Sequence, residues 1–135
     1  MIYHFIRFTV KPEVPQETVD AIMSNMTGEG NGTFPGGAGR DFGGEYQYGV
    51  VSAIEDIETY DKMMNDPAHL EIDLMGLPLI DKFMSFDITD DPDPEIGEKI
   101  TEIHRRRFEA NPDLTELVSN LNEYKGSAAP GKHAA

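Results

Sequence analysis

The chain has 135 residues and no cysteine, and its 25 acidic against 11 basic side chains give a net charge of −14. This length suits one domain with one core, and the lack of cysteine excludes disulfides and thiol catalysis. The negative charge disfavours nucleic acid and anionic membrane as partners, and no apolar run reaches the ~20 residues that span a bilayer. Since a strand pattern begins at once, without a secretory signal, we expect a cytoplasmic protein.

The first predicted element is a strand over residues 2–10, in which apolar side chains point to both faces. One face carries Ile2, His4, Ile6, Phe8 and Val10, and the other carries Tyr3, Phe5, Arg7 and Thr9. Such a strand is covered on both sides. We expect Arg7, on the outward face, to pair with an acid at a dimer interface. A helix over about 15–27 follows, with Met23 on its apolar stripe.

Residues 28–44 are rich in glycine and predict a mobile loop followed by a short, irregular strand near 39–42. A phosphate-binding loop is disfavoured because no Gly-Lys-Ser/Thr sequence follows, and two nearby acids would repel an anion. The segment therefore predicts a connection rather than a binding motif.

A strand at 45–54, a helix at 56–64, a helix at about 67–79 and a strand at 83–88 complete the pattern. One sheet with its helices on one face is an α+β arrangement. The first and last strands are apolar on both faces, so the exposed face of the sheet needs a partner. We therefore predict a homodimer that packs sheet on sheet.

The C-terminal third predicts a separate region. An acidic, proline-rich linker at 90–95 leads to two short amphipathic helices within residues 96–125, and we expect them to dock on the sister subunit. The basic run at 104–107 is interpreted as a solvated helix face. Residues 126–135 have the small-residue composition of a disordered tail.

Three segments resemble the stress-responsive A/B barrel domain: the strand histidine within 3–8, Asn-Asp-Pro-Ala-His at 65–69, and Phe-Asp at 86–87. The resemblance covers about residues 1–89, and 90–125 form an extension. It implies a dimeric α+β barrel of ferredoxin-like subunits, each with a four-stranded antiparallel sheet. It also implies a pocket between the sheet and the helices.

One similar group in this family, the plant olivetolic acid cyclases, closes a linear polyketide by an intramolecular aldol step. The resemblance implies that His4 and His69 line the pocket, with His69 as the base. The tyrosine that assists the base in the cyclases falls on Met63, and a further pocket histidine falls on Tyr48. The histidine–tyrosine pair of the cyclases is therefore not retained.

Strand parity places His4 and Tyr48 on the inward face of the sheet, opposite His69 at a helix start. A histidine beside a tyrosine hydroxyl can take a proton alpha to a carbonyl. We therefore predict His69 as base with His4 and Tyr48 as polar supports, in a pocket for a small, largely apolar ligand. The predicted ligand-binding side chains are Ile6, Phe8, Met23, Val50 and Met63.

The alternatives are a non-catalytic dimeric domain for stress response or interaction, with His4 bonded to a backbone carbonyl and His69 bracing its helix. A metal site from His4, His69 and a carboxylate, and a haem-degrading enzyme, are further alternatives. Neither is favoured by the pattern, and we predict no metal and no cofactor.

Overall fold

A computed structural model describes residues 1–27 and 36–127. The strands are β1 (Ile2–Val10), β2 (Gly36–Arg40), β3 (Tyr48–Ile54), β4 (Ile80–Thr89) and β5 (Glu123–Gly126). The helices are α1 (Gln16–Thr27), α2 (Ile57–Met64), α3 (Pro67–Gly76) with a 3₁₀ turn (Leu77–Leu79), α4 (Ile96–Ala110) and α5 (Pro112–Ser119). Residues 28–35 of the predicted loop and residues 128–135 of the predicted tail lie outside the described residues.

The sheet has the strand order β2-β3-β1-β4-β5. β1 pairs antiparallel with both β3 and β4, and β2 pairs antiparallel with β3, which confirms the predicted ferredoxin-like α+β fold. Within residues 1–27 and 36–127 the sheet nevertheless has five strands rather than four, because β5 adds parallel to β4. We did not predict β5 from the sequence, because Tyr124 in β5 also fits the apolar stripe predicted for the preceding helix.

Two aspartates start the helices that carry the inward-facing polar groups. The side chain of Asp56 accepts a hydrogen bond of 2.8 Å from the backbone N–H of Thr59 at the start of α2. The side chain of Asp66 accepts one of 2.9 Å from the N–H of Ala68, and Pro67 occupies the first turn of α3. These caps satisfy N–H groups that have no partner within their helix, and they determine where each helix begins.

The register of the sheet decides which side chains meet. His4 lies opposite Ser52 on β3 and opposite Asp87 on β4. Phe8 lies opposite Tyr48 on β3, four residues further along the strand. Because paired residues point to the same face, His4 and Asp87 are neighbours, whereas His4 and Tyr48 are about 13 Å apart along the strands.

The C-terminal extension packs into the core of its own subunit, whereas the sequence suggested the sister subunit as its docking surface. Ile100 and Ile103 of α4 are buried in a cluster with residues of β1, β3 and α2, among them Ile2 and Tyr60. Leu114 of α5 is buried in a second cluster with Phe8 and residues that precede β4. Burying one such side chain stabilises a fold by about 1.5–3 kcal/mol, so the extension belongs to the core.

The other face of the sheet stays apolar and accessible. Tyr3 and Ile88 are 40% and 56% exposed there, and the rings of Phe5 and Phe86 stack with centroids 4.7 Å apart. Arg7, on the same face, donates from Nε to Asp41 Oδ2 of its own chain at 2.7 Å, so it pairs with an acid as predicted. The location of this pair at a dimer interface stays a prediction. Among the described helices, none combines the length and apolarity needed to cross a bilayer.

Candidate functional site

A cavity of about 90 Å³ lies between the sheet and the helices. The sheet contributes His4, Ile6, Val50, Ser52, Phe83 and Ser85 to its wall, and α1 contributes Met26. Helices α2 and α3 contribute Met63, Met64, His69, Ile72 and Asp73. The extension closes it with His104, Arg107, Phe108 and Tyr124. The cavity is mostly apolar, with a few polar groups, as small-molecule sites usually are.

His4 and Asp87 form a buried pair beside this cavity. His4 Nδ1 lies 2.7 Å from Asp87 Oδ1, and their side chains are only 10% and 5% exposed. Burial raises the pKa of Asp87, but the hydrogen bond and the charge of His4 outweigh it and hold that pKa below its ordinary value. Asp87 is therefore a carboxylate that accepts the Nδ1–H of His4. Within the described residues, His4 Nε2 has no hydrogen-bond partner.

The hydroxyl of Tyr60 joins this pair to the extension. It lies 2.7 Å from His104 Nε2, 3.0 Å from Asp87 Oδ1 and 3.1 Å from His4 Nδ1. Tyr60 is fully buried, and this burial together with Asp87 raises its pKa far above the ordinary value. The hydroxyl therefore keeps its proton and acts as a neutral link between two histidines and a carboxylate.

The second oxygen of Asp87 is also occupied. Ser127 donates from Oγ to Asp87 Oδ2 at 2.7 Å and from its backbone N–H to the carbonyl of Ser85 at 2.9 Å. The preceding Gly126 has φ +108°, and a Cβ there would lie 1.6 Å from the Ser85 oxygen. Only glycine allows this approach, so the end of β5 is shaped to bring Ser127 to the carboxylate.

His69 lies in the first turn of α3 and faces the cavity. Its Nδ1 donates to the carbonyl of Met63 at 3.1 Å, which leaves Nε2 unprotonated at 3.5 Å from Asp73 Oδ2. Burial lowers the pKa of His69, and this effect outweighs the opposing charge of Asp73. The imidazole is therefore neutral near pH 7. It both braces its helix and presents a basic nitrogen.

Five of the predicted site residues line the cavity: His4, His69, Ile6, Val50 and Met63. Three do not. Phe8 is 1% exposed in the second core cluster, and Met23 lies on α1 beside that cluster. The hydroxyl of Tyr48 accepts a 3.4 Å hydrogen bond from Gln16, so Tyr48 does not meet the two histidines as expected. The register places it opposite Phe8, and Tyr60 supplies the hydroxyl instead.

Sequence reasoning missed the polar groups of α4. His104 and Arg107 were expected on a solvated face, yet they are 1% and 5% exposed. A helical count from Ile100 would have found them, since positions four and seven residues later fall on the same face. The whole basic run was interpreted as solvated because of its charges, but only its two middle arginines, at 105 and 106, face solvent.

Among the described residues, one set of side chains could hold a metal ion. Donor atoms of His4, Asp87 and His104 lie within 4.8 Å of one another, a different set from the predicted alternative with His69. The Tyr60 hydroxyl lies among them and satisfies them by hydrogen bonds, so a metal ion would have to displace it. A cavity of about 90 Å³ is far too small for haem.

The comparisons with known proteins agree with this architecture. The sequence profile of the stress responsive A/B barrel domain (Dabb) matches residues 2–90. A protein of Arabidopsis thaliana has a similar solved structure, with a TM-score of 0.59 and 20% identity over 67% of this chain and 96% of that one. A dimeric ferredoxin-like protein of unknown function from Thermobifida fusca has a TM-score of 0.56 at 16% identity, covering 65% of this chain and 89% of its own.

A third similar structure is the hydroxynitrile lyase from Passiflora edulis, with a TM-score of 0.57 and 16% identity over 67% of this chain and 94% of that one. At such identities these likenesses show the fold alone. A comparison with curated protein sequences gives no match. The matched profile covers well over half of the chain, and its limits coincide with β1 and the end of β4. This chain therefore belongs to the stress responsive A/B barrel domain family.

Proposed function

We propose that this protein binds a small, largely apolar molecule in the cavity and catalyses a cofactor-independent proton transfer of lyase or isomerase type. One observation carries the proposal. His4 is bonded to Asp87 through Nδ1 at 2.7 Å, while its Nε2 is left without a partner among the described residues, at the wall of a cavity. A histidine held in this way is prepared to accept a proton from a bound molecule.

Asp87 has two roles in this scheme. It accepts the Nδ1–H of His4 and so selects the tautomer whose Nε2 carries the lone pair, and it stabilises the imidazolium formed when Nε2 takes a proton. Hydrogen bonds from Ser127 and Tyr60 hold the carboxylate in place. His69 was the base implied by the family resemblance, and it remains the second candidate. We assign the base to His4 because burial disfavours the charged form of His69, which has no comparably close carboxylate.

A cyanohydrin is the first test substrate, because one structural relative is described as a hydroxynitrile lyase. In that reaction a base takes the hydroxyl proton and the carbon–cyanide bond breaks. The bonding electrons leave with cyanide, which takes up a proton, so that the products are a carbonyl compound and hydrogen cyanide. The step needs one well-placed base and no cofactor, which matches what the cavity offers.

The experiment measures cyanide release from acetone cyanohydrin, corrected for the uncatalysed reaction, and deuterium exchange into acetone in D₂O. Both molecules are small enough to test a narrow cavity. His4→Gln and Asp87→Asn should each lower an observed rate about 100-fold or more, as expected for loss of a general base. Tyr48→Phe, off the cavity, should keep the wild-type rate. A rate that survives His4→Gln with the fold intact by circular dichroism overturns the assignment of His4.

The second candidate function is a non-catalytic dimeric domain for stress response or interaction. It is favoured by the bond from His69 to the Met63 carbonyl and by the satisfied network around Tyr60, which are structural uses of the same groups. Under this function neither probe is turned over, and substitutions of His4 and His69 change only stability.

We also propose that the protein is a homodimer that packs through the outer face of the sheet. The exposed Tyr3 and Ile88 and the Phe5–Phe86 stack support this, as does the description of the Thermobifida fusca relative as dimeric. The cytoplasmic location remains a prediction, supported by the absence of cysteine from the sequence.

A further inference from the structure

We infer that Arg107 makes the cavity a binding site for a short carboxylate, such as a small hydroxy or oxo acid. The inference rests on the proposed function, since it names the class of molecule that the same cavity takes. Arg107 comes from α4, outside the residues 2–90 that the family profile matches. The A/B barrel domain alone would therefore lack this group.

Arg107 is buried but incompletely paired. Its side chain is 6% exposed, and Nη2 donates to Asp73 Oδ2 at 2.8 Å. In the part of the chain that the structure describes, the guanidinium makes no other hydrogen bond. A guanidinium has five N–H groups, and buried donors are normally satisfied. Nε and Nη1 are thus available to an acceptor that enters the cavity.

The acceptor that fits these donors best is a carboxylate. Arg107 is the only lysine or arginine among the described residues that line the cavity. Its planar donors match the two oxygens of a carboxylate, and charge-assisted hydrogen bonds are about twice as strong as neutral ones. Asp73 holds the guanidinium by one bond only, so it positions Arg107 and competes for it with the ligand.

The rest of the cavity limits the ligand. Its walls are largely apolar, with Ile6, Val50 and Phe83 from the sheet. A volume of about 90 Å³ is smaller than the ~150 Å³ of an apolar cavity that holds benzene, so the ligand has only a few heavy atoms. Arg107 and His4 line the same cavity, so an acid bound to Arg107 would lie in the cavity whose wall carries the proposed base.

The test compares propionate with propionamide, which have the same size and differ in charge. Binding is measured by isothermal titration calorimetry on the full chain, with histidine ring signals followed by NMR. We expect propionate to bind at least tenfold more tightly. Arg107→Gln should abolish this preference, whereas Arg106→Gln, at a neighbouring arginine whose side chain is 55% exposed, should leave it unchanged.

Because Arg107→Gln leaves Asp73 without its partner and could unfold the chain, Asp73→Asn is the decisive second variant. It removes the competing carboxylate, so propionate should bind several-fold more tightly than to the wild type. A merely structural role of the pair predicts no such gain. Equal binding of propionate and propionamide, insensitive to both variants, would overturn the role of Arg107 and leave the proton-transfer chemistry of His4 standing. Absence of binding by either molecule also overturns it, and cyanohydrin cleavage then decides the proposed function separately.

Discussion

The hydroxyl of Tyr60 in α2 lies 2.7 Å from Nε2 of His104 in α4, so the A/B barrel domain and its C-terminal extension share a buried hydrogen bond. The same hydroxyl lies 3.0 Å from Asp87 Oδ1. The extension is thus connected to the carboxylate that orients His4. The packing that holds α4 in place therefore also holds His4 and Asp87 at the polar end of the cavity.

Replacing Tyr60 by Phe should destabilise the fold by about 1–3 kcal/mol. The substitution leaves the ring in the core but removes the hydroxyl from His104, which is 1% exposed and cannot turn to water. The measurement is the free energy of unfolding in urea. Tyr48→Phe is the matched control, since its hydroxyl has one exposed hydrogen bond of 3.4 Å, and it should stay within about 0.5 kcal/mol of the wild type. Equal losses in the two variants would contradict the role given to the Tyr60 hydroxyl.

Truncating Ile103 to Ala should cost about 2–5 kcal/mol, the usual effect of a cavity in a packed core. Ile103 is 3% exposed and packs in one cluster with Ile2, Ile54 and Tyr60 of the barrel domain. Met75→Ala, on a side chain that is 58% exposed, should change stability by less than about 0.5 kcal/mol.

The urea transition of Ile103→Ala should remain single, with the same slope as the wild type, because the extension and the domain form one core. A separate early transition of the extension would show that the two parts unfold independently.

The fold followed from the sequence because its signals are local. Alternation defined β1, the Asp-Pro caps placed α3, and the parity of β1 put His4 inside. Residue 87 had the same inward parity on β4, yet its bond with His4 depends on the register of β1 against β4, which no local pattern specifies.

The extension was harder to predict for a different reason. A stripe of isoleucines shows that a helix docks, but it does not show on what, and both His104 and Arg107 were interpreted as solvated because of the charges around them. Tyr48 was misplaced because parity gives the face of a sheet and not the position along the strand. The docking surface of α4 and the position of Tyr48 depend on long-range pairing, which a single sequence records poorly, whereas the burial of His104 and Arg107 was a local signal that the neighbouring charges obscured.

The titration of His69 should make the protein less stable as the pH falls below neutrality. Burial lowers the pKa of His69 in the folded state below its value of about 6.5 in the unfolded chain. The unfolded state therefore binds more protons, and stability decreases as the pH falls from above 6.5 towards the folded pKa. Asp87, whose pKa is also lowered, acts in a separate window: its contribution is present above about pH 3.9 and is lost only at more acidic pH.

His69→Asn tests this, because the Asn amide can replace the donor to the Met63 carbonyl but does not titrate. Free energies of unfolding in urea at pH 7.5 and 5.5 should differ less in His69→Asn than in the wild type. The other histidines are common to both proteins and cancel in this comparison. An equal or larger difference in the variant would show that the pKa of His69 is not lowered in the folded state.

Replacing Ile88 by Lys should convert the proposed dimer to a monomer of 15.0 kDa in sedimentation experiments. Ile88 is 56% exposed on the face where Phe5 and Phe86 stack, and a charge within a sheet-on-sheet interface would be buried without a partner. Met75→Lys, on a helix on the other side of the sheet, should remain a dimer, as the wild type does. If Ile88→Lys sediments as the wild type does, the subunits associate through another surface. The apolar face of the sheet would then be open to a different partner.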